Sequence, residues 1–159
     1  HLVKQLGGDG SEGDRAAGEI ETFAIKNRTA PAVATFAIHP ADIVATAQRA
    51  ADGGVDLGEI LPLSRRTPSG ELLERRLPRG ERRDPDPAIP FLIDWGTTAQ
   101  PGLGDIPTIE LLGVRVEHPD AGRLTESYAL LGVETEVVQA DEFAIVLTVE
   151  GVDGPIELR

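Results

Sequence analysis

Two stretches of the chain repeat one order of hydrophobic and polar positions. Residues 32–39 and 108–117 are rich in Val, Ile, Leu and Thr, and the runs stop at His39-Pro40 and His118-Pro119. Such runs predict strands. Each Pro then opens a predicted helix, since its missing N–H is no loss in the first turn. Asp42 and Asp120 place carboxylates near the positive helix end. Ile43, Val44, Ala47, Ala50 and Ala51 form one apolar stripe at helical spacing, as do Leu124, Tyr128 and Leu131. Gly53 and Gly132, each fourteen residues after its His, end the helices. The two His-Pro pairs lie 79 residues apart.

Three further strands are expected after each helix, at 59–64, 71–77 and 89–95 and at 135–139, 142–150 and 155–159. Phe143, Ile145, Leu147 and Val149 occupy every second position of the longest of them. Thr67-Pro68-Ser69-Gly70, Ala140-Asp141 and Asp153-Gly154 supply the turns. The fold class expected is therefore α+β, built from paired βαβββ modules at 32–96 and 108–159. The Gly- and Pro-containing segment 97–107 links them. Residues 1–31, Gly-rich and without apolar periodicity over 4–19, read as a loop-rich N-terminal remnant.

Composition narrows the chemistry. The 159 residues carry a net charge of −12, which opposes a phosphate backbone and excludes nucleic acid as the expected partner. No apolar run reaches the roughly 18–20 residues of a membrane span, and no signal-peptide pattern is visible, so a cytoplasmic location is expected. The chain has no Cys, hence no thiolate metal site and no cysteine nucleophile. Ser64 has no neighbouring His and sits in no nucleophile elbow. Gly7-Gly8-Asp9-Gly10 lacks the Lys of a phosphate loop.

Ser64-Arg65-Arg66 followed by Pro68, Gly70 and Leu73, then Phe91-Leu92-Ile93-Asp94-Trp95-Gly96, then Glu117-His118-Pro119-Asp120, carry a family likeness over residues 30–159. The chain resembles the bacterial glyoxalase-like domain proteins of the vicinal oxygen chelate superfamily, which also builds on paired βαβββ units. There are two departures. A Trp common in the family after the Ser-Arg-Arg turn is replaced by Arg75, and His1-Leu2-Val3 resembles the opening of an earlier unit whose remainder is absent.

The resemblance implies a cleft that binds a small organic molecule, anionic if arginines line it. The alternative it implies is a divalent-metal-dependent lyase, isomerase or dioxygenase. A third reading is a structural remnant that pairs with a second copy as a homodimer through a free sheet edge. In this superfamily His, Glu or Gln from the first and last strands of two units hold the metal, which acts as a Lewis acid. Here those strands offer Thr35, Glu110, Arg115, Glu117, Asp94 and Glu157, and no His. A metal is thus not supported by the residues present, and none is assigned as a ligand. His39 and His118 are expected as turn or cap residues at their strand-to-helix corners. The substrate-binding residues expected are Arg65 and Arg66, on the matched motif, with Asp94 and Glu117. The other arginines of 75–83 read as a solvated surface. On a regular strand Asp94 and Trp95 face opposite sides, so only one of them reaches a cleft.

Overall fold

The computed structural model describes residues 33–79, 86–104 and 107–159. Its elements, in chain order, are β1 (Ala37–Ile38), α1 (Ile43–Asp52), β2 (Glu59–Arg66), β3 (Leu72–Arg79), β4 (Phe91–Leu92), β5 (Leu111–His118), α2 (Ala121–Leu131), β6 (Glu136–Gln139), β7 (Ala144–Gly151) and β8 (Gly154–Leu158). The remnant 1–31, with its His1-Leu2-Val3 opening, lies outside the described residues.

Both helices start later than their prolines predict. The Asp42 carboxylate accepts from the N–H groups of Val44 at 2.9 Å and Ala45 at 3.0 Å. The Asp120 carboxylate accepts from Arg123 N–H at 3.1 Å. Proline merely lacks a donor, whereas a carboxylate satisfies donors that the first turn leaves unpaired. The aspartates therefore set the start and the prolines precede it.

The halves share an element order but not a wiring. In the first half β1 runs parallel to β4, the chain beyond β4 bridges to β3 at Arg76 and Asp94, and β3 pairs antiparallel with β2. The lateral order is β1-β4-β3-β2. In the second half it is β6-β5-β7-β8, with β5 and β6 parallel. The expectation of two equivalent, complete βαβββ units is corrected on this point. After each helix a valine N–H turns back onto the last turn, Val55 to Ala50 at 2.8 Å and Val133 to Tyr128 at 2.9 Å. Beyond that the paths part. Past α2 the chain enters β6 and lies beside β5. Past α1, Leu57 is buried in the core and Gly58 turns the chain at φ +88°. A Cβ on Gly58 would lie 2.7 Å from the Arg79 carbonyl oxygen. This turn carries β2 to the far edge, where among the described residues it pairs with β3 alone.

A single core joins the halves. Ile43, Ala50, Leu57 and Leu92 from the first pack with Val116, Leu124, Tyr128 and Ile145 from the second. The helices touch where Arg49 Nε donates to the Leu130 carbonyl at 2.7 Å. The Phe36 and Tyr128 rings meet edge to face, 6.1 Å between centroids. The Tyr128 hydroxyl donates to the Ala88 carbonyl at 2.8 Å. Among the described residues no helix is long and apolar enough to cross a membrane.

Candidate functional site

The β2–β3 ribbon has two different faces. Directly opposed residues in an antiparallel pair share a face, and the faces alternate along each strand. The pairs Ile60–Pro78, Pro62–Arg76 and Ser64–Glu74 lie on one face, and Ile60 packs against the core. The pairs Leu61–Leu77, Leu63–Arg75 and Arg65–Leu73 lie on the other. Leu61, Leu63 and Leu77 are half-buried, yet none belongs to the core cluster. Leu73 on this face is buried, so the ribbon's second face is apolar as well and partly covered.

At the end of this ribbon the chain beyond β4 forms an open cleft of about 450 Å³. Pro62 to Ser64, Glu74 to Arg76 and Asp94 to Thr98 line it. The local fold follows from Asp94. Its backbone bridges to Arg76 in both directions, at 2.7 and 2.9 Å. Its Oδ1 accepts from Gly96 N–H at 2.8 Å, and its Oδ2 accepts from Arg76 Nε at 2.9 Å and Nη2 at 2.5 Å. His39 Nε2 lies 3.7 Å from Oδ1. Gly96 N–H, first, and then the Arg76 guanidinium hold the Asp94 carboxyl below its ordinary value of 3.8. A depressed carboxyl stabilises the fold above its unfolded value and loses that contribution as pH falls through the lower, folded value. An NMR titration of the Asp94 carboxyl carbon is expected to give a midpoint below 3.8. In Arg76→Gln the midpoint moves back toward 3.8, and an unchanged midpoint would exclude Arg76 as a cause.

Gly96, at φ +53°, allows the turn in which Thr98 N–H donates to the Trp95 carbonyl at 2.8 Å. Asp94 and Trp95 consequently both line the cleft, against the alternation expected of a regular strand. The last ladder bonds are those of Ile93 to Ile38 and of Asp94 to Arg76, and the turn at Gly96 takes over directly after them. The Arg75 guanidinium carbon lies 5.7 Å from the centroid of the half-buried Trp95 ring. Such a stack leaves the N–H edges of the guanidinium directed sideways. Ser64, Thr97 and Thr98 add hydroxyl groups to the same lining. Sequence reasoning placed Arg75 on a solvated surface. Its position where the family has a Trp was the available signal, and the structure puts its guanidinium over Trp95.

The other expected residues do not converge here. Arg66 donates from Nη1 to the Gly70 carbonyl at 3.0 Å and closes the hairpin turn. Arg65 is exposed on β2, outside the lining. Glu117 lies on the second sheet, between Arg115 Nε at 3.4 Å and Arg159 Nη2 at 2.6 Å. Glu157 accepts from Arg115 Nη1 at 2.6 Å, which holds its carboxyl below the usual range. The superfamily's metal does not fit this donor set. Asp94, Glu117 and Glu157 each neutralise an arginine, and among the described residues no three His, Asp or Glu side chains are grouped to hold an ion. Arg82 and Arg83 lie outside the described residues.

His118 is buried at the corner where β5 meets α2. Its Nδ1 accepts from Asp120 N–H at 2.9 Å, so in the neutral ring the proton sits on Nε2. Nε2 lies 3.3 Å from the buried carboxylate of Asp86, which also receives Arg123 Nη2 and, at 2.9 Å, Ala88 N–H. His118 thus serves its corner, as its position before Pro119 predicts, and ties the halves together. Asp86 was missed because nothing in its local sequence distinguishes it from the charged residues before it.

Comparison with known proteins adds the family. A family model described as a glyoxalase-like domain matches residues 9–132. The match begins within the segment 1–31 and ends where α2 ends, so β6, β7 and β8 lie beyond it. No curated protein and no solved structure matches the chain. The matched region spans more than half of the sequence and contains the β2–β3 ribbon, the cleft and both helices, and on that ground the chain belongs to the glyoxalase-like domain family.

Proposed function

We propose that the cleft beside Trp95 binds a small organic anion. The observation that carries this is the Arg75 guanidinium stacked over the half-buried Trp95, with the hydroxyls of Ser64, Thr97 and Thr98 around them. Asp94 and Arg76 satisfy each other and shape the turn. The Arg75 guanidinium supplies positive charge that suits a carboxylate, and the indole supplies an apolar wall. Asp94 acts here through Arg76 and Gly96 as a positioning residue.

Trp95 is the only tryptophan, so its emission reports the cleft directly. Titration with valerate or benzoate is expected to change that emission in a saturable way. Arg75→Gln removes a charge-assisted contact of about 1.5–3 kcal/mol, so affinity falls roughly tenfold or more, by calorimetry as well as by emission. No response to either acid would overturn the proposal. The metal-dependent alternative predicts stoichiometric binding of Mn²⁺, Ni²⁺ or Zn²⁺ to the intact chain. The paired carboxylates of the described residues predict none.

A further inference from the structure

Among the described residues, two arginines and two acids line the cleft beside Trp95. Arg76 and Asp94 neutralise each other, and Arg75 lies over the Trp95 ring. The carboxylate of Glu74 is exposed, and among the described residues it has neither a cation nor a hydrogen-bond donor beside it. This sets it apart from Asp94, Glu117 and Glu157, each of which meets an arginine. A simple anion entering the cleft is drawn by Arg75 and opposed by Glu74, which leaves one charge of the lining unmatched.

Register fixes what surrounds Glu74. It stands directly opposite Ser64, on the face of the ribbon that also carries Pro62 and Arg76. Its backbone N–H donates to Thr98 Oγ1 at 3.3 Å, away from β2. Ser64 and Glu74 therefore form a non-hydrogen-bonded pair, the kind in which opposed side chains stand closest. The Ser64 hydroxyl makes no hydrogen bond among the described residues. A carboxylate beside an uncommitted hydroxyl suits an ammonium, which has three donors and no acceptor. Glu74 and Arg75 are consecutive on β3, so their side chains leave the strand in opposite directions and their charges stand apart.

Resting on the small-anion reading above, which provides for the carboxylate end, we propose that the ligand is an ω-amino acid, with a primary ammonium and a carboxylate at the two ends of a short apolar spacer. Glu74 and Ser64 hold the ammonium, and the Trp95 ring supports the spacer. The balanced charge of the lining then meets a molecule that is itself balanced. Glu74 is the specificity residue, because it repels a simple acid and attracts an amino acid.

The test titrates three five-carbon acids, valerate, 5-aminovalerate and norvaline, into the intact chain at neutral pH, with Trp95 emission and calorimetry as readouts. 5-Aminovalerate is expected to bind the unaltered protein about two- to fivefold more tightly than valerate, the range of a solvent-accessible ion pair. Norvaline, whose ammonium adjoins its carboxylate, gains nothing over valerate. In Glu74→Gln the affinities move in opposite directions: 5-aminovalerate weakens, and valerate tightens because a repelling charge is gone. A damaged fold would weaken both, so the crossing reads charge recognition alone, and Glu74→Asp, which keeps the charge, preserves the order. No advantage of 5-aminovalerate over valerate in the unaltered chain overturns the proposal, as does an equal gain by norvaline or a matching loss for both acids in Glu74→Gln. If none of the acids binds, the small-anion reading fails as well, a result distinct from valerate binding without that advantage.

Discussion

Replacing Asp86 with Ala is expected to lower the unfolding free energy by about 3 kcal/mol, measured by urea denaturation followed by circular dichroism. The Asp86 carboxylate is buried and receives His118 Nε2, Arg123 and Ala88 N–H. Removing it leaves the buried His118 donor and the Ala88 N–H without this acceptor and takes from Arg123 its nearer counter-charge, Asp120 Oδ2 staying at 3.8 Å. The figure stands at the low end for a broken buried pair because the Arg123 side chain is 43% exposed and can turn to water. Asp86→Asn retains an acceptor and is expected to lose less. Because Asp86 lies before β4 while His118 and Arg123 belong to β5 and α2, the variant should still unfold in one transition, at lower denaturant. A loss under about 0.5 kcal/mol would mean that the cluster is solvated in solution and does not join the halves.

Tyr128→Ala is expected to cost about 3–5 kcal/mol, the range for deleting a fully buried aromatic ring. Tyr128 is 1% exposed, meets Phe36 edge to face and donates to the Ala88 carbonyl. Tyr128→Phe keeps the ring and loses the hydrogen bond, so about 1 kcal/mol is expected from it. The two variants separate packing from polarity. Burial, and then the Asp86 charge, push the Tyr128 hydroxyl well above its ordinary value of 10.0. The unfolded chain therefore ionises first. The tyrosine's contribution is complete below pH 10 and is lost progressively as pH rises above it. Tyr128 is also the only tyrosine, so phenolate absorbance follows this group without deconvolution. In the folded protein that absorbance should appear only well above pH 10, and a midpoint near 10 would show the ring to be accessible.

The two single aromatics divide the molecule between them. Tyr128 reports the core that fuses the halves, and Trp95 reports the cleft. A ligand that changes Trp95 emission without altering Tyr128 ionisation acts locally. One that shifts both has coupled the turn after β4 to the core through Leu92, which is fully buried two residues before Asp94.

The order of strands and helices, the helix stripes and the aspartates at the helix starts were legible in the chain, because each depends on neighbours a few residues away. The Phe-Leu-Ile-Asp-Trp-Gly motif likewise pointed to the segment that became the cleft wall. The roles within it were not legible. Asp94, named as a ligand residue, lines the cleft and also holds Arg76 and Gly96, while Arg75, read as surface, covers Trp95. Glu117, chosen from its strand position, is paired with Arg115 and Arg159 on the other sheet. Residue type and spacing specify what a side chain can do, but the pairings of Asp94 with Arg76, Trp95 with Arg75 and Glu117 with Arg159 bring together positions far apart in the chain.

What the sequence by itself determined is the βαβββ element order in each half and the family to which its motifs belong. Tertiary structure alone decided the wiring. After helix ends that both turn a valine back onto the last turn, but with Gly53 at φ −87° and Gly132 at φ +71°, β6 pairs beside its own first strand, while Leu57 and Gly58 send β2 to the opposite edge. Strand order is set by which edge is within reach and which side chains the shared core accepts, and neither quantity is written in local periodicity.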